Sequence, residues 1–76
     1  AGVFTDDDNR LMEIVSENLG LTFAMRQKLR QVCGQAKIRG VNTTAALSES
    51  TKAPALRKIE SKAAFAGLIS RLSEGE

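Results

Sequence analysis

Apolar positions recur three and four residues apart along most of the chain, and no stretch shows the alternation of a half-buried strand. Leu11, Ile14, Val15 and Leu19 predict a first helix that starts after Thr5 and runs to about Leu19. Thr5 suits an N-cap, and Asp8, three residues on, completes a capping box with Asp in place of the preferred Glu or Gln. Gly20 is placed to end this helix. Residues 21–40 form the clearest amphipathic stretch. Thr22 is its predicted cap, and Met25, Leu29, Val32, Cys33 and Ala36 form a core-facing stripe within a sector of about 100°. Cys33 lies at the edge of that stripe, Gln27, Gln31 and Gln35 fill the polar back, and Gly34 sits opposite the stripe. Gly34 either permits another backbone to come close or is an unoptimised surface position. Gly40 ends the helix after Lys37 and Arg39, which complement the negative end of its dipole.

Further along, Asn42 or Thr43 is the predicted cap of a short helix through Ala45, Ala46 and Leu47, with Ser48, Ser50 and Thr51 weakening helical preference after it. Lys52-Ala53-Pro54 forms a joint, followed by Leu56 and Ile59 as apolar anchors. Ser61 is the predicted cap of the last helix, whose core face is Phe65, Leu68, Ile69 and Leu72. Its other side carries a strip of small residues, Ala63, Ala66, Gly67 and Ser70, read as plain surface or as room for a second helix to approach. The expected architecture is an all-α compact bundle of three main helices, with one or two short helices in the 43–60 connection. The expected organisation is a single helical interaction domain over residues 1–76, cut from a larger protein.

Size and composition narrow the function. With 76 residues, one core supplies only roughly 3–5 kcal/mol of net stability. The only aromatics are Phe4, Phe23 and Phe65, too few for a stacking platform for single-stranded nucleic acid. The chain lacks histidine, the commonest acid–base group and transition-metal ligand. Cys33 is the sole cysteine; it cannot form an internal disulfide and suits a reducing, intracellular (cytoplasmic or nuclear) setting. No apolar run reaches the ~18 residues of a membrane span, and no secretory leader is visible. Phosphate-binding glycine loops, paired cysteines and nucleophile–base constellations are missing from the sequence. The expectation is therefore a non-enzymatic module with no cofactor, no metal and no small-molecule substrate. The run Asp6-Asp7-Asp8 fits helix capping better than a calcium loop, whose alternating ligands and glycine it lacks.

Charge then singles out the second helix. Residues 1–20 balance at −4 and residues 21–40 at +5, against a chain total of +2. Arg26, Arg30 and Lys37 align on one flank of the apolar stripe, with Lys28 and Arg39 on the other. Arginine forks hold carboxylates well, so these five residues are the candidate binding set for an acidic or amphipathic peptide of a partner protein. The alternative partner is nucleic acid, its phosphates held by the same side chains. The acidic first helix and the modest net charge weigh against that alternative.

The opening LTFAMRQKLRQVCGQAKIRGV, the short NTTAAL element and the ending ALRKIESKAAFAGLISRL resemble the small carboxy-terminal helical domains of bacteriophage single-strand-annealing recombination proteins. The resemblance spans residues 21–73, with Leu56, Ile59, Ala64, Leu68, Ile69 and Leu72 at comparable apolar positions; residues 1–20 lie outside it. It implies a docking module in DNA recombination that recruits the acidic tail of a single-stranded-DNA-binding protein, a partner nuclease, or both. On this chain only Arg26, Arg30 and Lys37 match such a role. The annealing chemistry of those proteins lies elsewhere in them and is not implied here. The ending ESKAAFAGLISRL also looks like the second helix of SAP-type DNA-binding modules, although the short leader helix of such modules is missing.

Overall fold

The computed structural model describes residues 4–52 and 58–74, the side chains of residues 58 and 59 apart. Four helices follow one another: α1 (Asp6–Leu19), α2 (Phe23–Ile38), α3 (Thr43–Thr51) and α4 (Lys58–Glu74). No strand is present among the described residues, so the fold is all-α, with α1, α2 and α4 as the long helices and α3 as the short one.

The helix ends are set locally. The Thr5 hydroxyl accepts from the Asp8 amide at 3.1 Å while the Asp8 carboxylate accepts from the Thr5 amide at 3.4 Å, which is the expected capping box. Gly20 closes α1 in the left-handed region (φ 59°), where a side chain would be strained, and the Leu21 amide reaches back to the Ser16 carbonyl. Thr22 caps α2 and Asn42 caps α3, each accepting from the amide three residues on. Arg39 is the last half-helical residue of α2, and Gly40 (φ 83°) makes the left-handed turn that follows.

Two expectations about helix ends are corrected. The α3 helix continues through Ser48, Ser50 and Thr51, and the hydroxyls of Ser50 and Thr51 donate to the carbonyls of Ala46 and Ser48 within it. Ser61 is not a cap, since α4 starts three residues earlier at Lys58, with Glu60 in its positive first turn. Ser61 is buried in line with Phe65, Leu68 and Leu72, so it belongs to the inner face of α4. The joint at Ala53-Pro54 and the anchor Leu56 fall outside the described residues, as does the side chain of Ile59.

The core is made of Met12, Val15, Leu19, Leu21, Leu29, Cys33, Ala36, Ala46, Leu47, Phe65, Leu68 and Leu72. On α1 the buried stripe is Met12, Val15 and Leu19, whereas Leu11 and Ile14 are only half-buried. Cys33, at one edge of the α2 stripe, is fully buried, whereas Met25 and Val32 toward the opposite edge are only half-buried, so the buried face of α2 is turned toward Cys33. The α1 helix packs most extensively on α3, and α2 packs on α4. Asp8 meets Thr44, and Asn18 meets the Thr51 carbonyl at 3.4 Å, so α1 and α3 run in the same direction. Contacts between α1 and α2 are sparser and include three polar pairs, Arg26–Glu13, Arg30–Asn9 and Lys37–Asp8.

Gly34 sits inside α2 with the Phe4 ring 3.8 Å from where its Cβ would stand. Its neighbour is thus a side chain at ordinary van der Waals distance, not a closely approaching backbone. Gly34→Ala is therefore expected to stabilise the protein by about 1 kcal/mol, from helix propensity and reduced freedom of the unfolded chain. A rise in urea midpoint with an unchanged denaturant slope is the expected reading.

Candidate binding surface

The basic flank of α2 lies against the acidic helix α1. Its three members meet three polar side chains in antiparallel order. Arg26 pairs with Glu13 at 4.0 Å, Arg30 donates to the Asn9 amide oxygen at 3.5 Å, and Lys37 is bonded to the Asp8 carboxylate. The three pairings differ in depth. The Arg26 and Glu13 side chains remain about half and two-thirds exposed (45% and 66%), whereas Asp8 is 1% exposed and Lys37 largely covered. Exposed pairs of the first kind contribute little to stability, so the guanidinium of Arg26 is open to exchange for another carboxylate.

Asp8 is the residue that joins the helices. From α1 it accepts from Lys37 of α2, from the Thr44 hydroxyl of α3 at 2.9 Å, and from the Thr5 amide of its own cap. Burial raises its pKa, but the bonds from Lys37, Thr44 and Thr5 outweigh burial and leave the carboxyl below its ordinary value. The acidic run is thus divided: Asp6 and Asp7 face solvent in the first turn, and Asp8 faces inward. The register holds a signal for this, because Asp8 precedes Met12, Val15 and Leu19 by four, seven and eleven residues and shares their face.

On the other flank, Arg39 donates to the Leu72 carbonyl at 2.7 Å and so satisfies an end carbonyl of α4. Lys28 is exposed. Of the five basic candidates, only Lys37 is largely covered; Arg26, Lys28, Arg30 and Arg39 are exposed, Arg30 with a bond to α1 and Arg39 with one to α4. Two large apolar residues also lie on the outer side of α2, one at each end: Phe23, 77% exposed, and Ile38, 75% exposed. Between α1 and α2 an open, shallow groove is bordered by Asn9, Met12, Glu13 and Ser16 on one side and by Phe23, Arg26, Gln27 and Arg30 on the other. Phe23 is not among the candidates read from the sequence, although its position just after the Thr22 cap and off the Met25–Leu29–Cys33 stripe places it on the outer side of α2.

The Cys33 thiol is pushed up to about 11, chiefly by burial and further by the Asp8 charge, so it stays protonated and packs as a small apolar group. No helix is long and apolar enough to cross a membrane among the described residues. No family model, no curated protein and no solved structure matches this chain.

Proposed function

We propose that this chain is an intracellular, non-enzymatic docking module, and that the groove between α1 and α2 receives an acidic, amphipathic segment of a partner protein. The exposed Phe23 ring beside Arg26 and Arg30 carries this reading. An unpartnered aromatic next to two guanidinium groups offers an apolar contact and forked donors within one helical turn or two, the combination that anchors an amphipathic acidic helix. Asn9 already accepts from Arg30 and Glu13 pairs with Arg26 at 4.0 Å, so carboxylate and amide oxygens are the chemistry that the flank accommodates. Glu13 repels phosphates and carboxylates alike, so it is the exposed apolar Phe23 that favours an amphipathic peptide over a phosphate backbone. A place in DNA recombination follows from the resemblance to the annealing-protein domains and extends the proposal to partners such as the tail of a single-stranded-DNA-binding protein.

The test is the affinity of the protein and of its Arg26→Glu, Arg30→Glu variant for a 15-residue acidic amphipathic peptide, beside short single- and double-stranded DNA. The variant should remain folded, because both arginines are exposed, and should bind the peptide at least about tenfold more weakly, the loss of one or two charge-assisted hydrogen bonds. Equal peptide binding by both proteins would overturn the reading. Steeply salt-dependent binding of DNA without binding of the peptide would replace it with nucleic-acid recognition.

A further inference from the structure

The Phe4 ring lies across α2, 3.8 Å from the Cβ position of Gly34, with the Arg30 guanidinium 5.7 Å and the Lys37 ammonium 6.0 Å from the ring centroid. These distances place both cations where an aromatic face attracts them. The ring is half-buried against the edge of the core. Phe4 precedes the N-cap, and a residue at that position usually packs on the fourth helical residue, which here is the polar Asn9. The capping box uses Thr5 and Asp8 alone, so α1 keeps its start whether or not the ring is in place.

We infer that the Gly34–Arg30–Lys37 seat is an aromatic subsite of the α2 docking surface, with Phe4 as its resident occupant and intramolecular competitor. The inference rests on the docking reading and specifies its partner: an aromatic side chain followed after one residue by carboxylates, the order of Phe4-Thr5-Asp6-Asp7-Asp8. The charge of the site fits that order. An incoming ring takes the place of the Phe4 ring between the two cations, and the carboxylates behind it reach Arg30 and Arg26, whose present partners are an amide oxygen and an exposed Glu13. A tethered ring competes at an effective concentration on the order of millimolar, so the partner binds tightly only when Phe4 leaves.

The probe is the blocked pentapeptide Phe-Thr-Asp-Asp-Asp, compared with Ala-Thr-Asp-Asp-Asp, titrated into the wild-type chain and into Phe4→Ala, with circular dichroism to check that both are folded. The aromatic peptide should bind Phe4→Ala at least about tenfold more tightly than wild type, and the alanine peptide should bind both alike. Equal affinity of the aromatic peptide for the two proteins overturns the inference. Should Phe4→Ala fail to fold, the wild-type chain labelled with 4-fluorophenylalanine decides instead. Saturating aromatic peptide should move the Phe4 fluorine resonance toward its solvent-exposed value while the alanine peptide leaves it in place; an unmoved resonance overturns the inference. If both pentapeptides bind alike and only Arg26→Glu, Arg30→Glu weakens them, the docking surface stands and the role of Phe4 falls.

Discussion

Replacing Asp8 with Asn should destabilise the protein by about 3 kcal/mol, the usual cost of removing one member of a buried ion pair. Asp8 is 1% exposed and accepts from three donors on α1, α2 and α3, so one substitution loosens the contacts among all three helices. It also leaves the largely covered Lys37 ammonium without its carboxylate. In a chain of 76 residues, whose single core supplies only roughly 3–5 kcal/mol of net stability, this removes most of it. The expected fall in melting temperature is roughly 12–24 °C. Pairing the change with Lys37→Met should restore more than half of the loss, because the charge that Asp8 balanced leaves with the lysine; a double variant as unstable as the sum of the single ones would contradict this.

The sign of the pH dependence follows from the same site. The Asp8 pKa is lowered on folding, so its contribution is fully present above the unfolded carboxyl value of about 3.9 and is lost as the pH falls through the lower folded value. Wild type should lose stability in that acid window, and Asp8→Asn should lose less there. Urea midpoints between pH 2 and pH 7 read both.

Leu47→Ala should be comparably damaging, at about 3–4 kcal/mol, within the usual range for a fully buried leucine. Leu47 is 0% exposed and is the only large apolar residue of α3, where the other buried positions are Thr43 and Ala46. A nine-residue helix is too short to persist alone and depends on its packed face. Cutting back Leu47 should therefore free α3 from α1 before the whole bundle opens. Hydrogen exchange is expected to show amides of α3 losing protection ahead of those in α2 and α4. Uniform loss of protection in all four helices would show instead that α3 is welded to the rest by Thr44 and Asn18.

Much of this architecture is legible in the sequence, because its determinants are local. Thr5, Gly20, Thr22 and Asn42 set their helix ends through bonds to residues three or four away, and the α2 and α4 stripes follow helical spacing. What the sequence hid depends on which helix lies against which. Leu11 and Ile14 are as apolar as Met12, yet only Met12 is fully covered, since the position of α3 decides the buried side of α1. Ser61 resembles a cap until the helix is seen to begin at Lys58. At the candidate surface, the alignment of Arg26, Arg30 and Lys37 is visible in the spacing. Their unequal burial is not, because it is set by Asn9, Glu13 and Asp8 across the interface. Asp8 itself could have been singled out as the only member of the acidic run in phase with Met12, Val15 and Leu19.

On the docking reading α2 binds through Phe23, Arg26 and Arg30 on its α1-facing flank, while Arg39 is tied to α4 and Lys37, bonded to Asp8, serves both the bundle and the Phe4 seat. Amide-resolved NMR during titration with the acidic amphipathic peptide tests it most directly. Shifts should concentrate on Phe23, Arg26, Gln27 and Arg30 and on the facing Asn9 and Glu13. Shifts confined to the exposed small-residue strip of α4, Ala63, Ala66, Gly67 and Ser70, or no shifts at all, would contradict it.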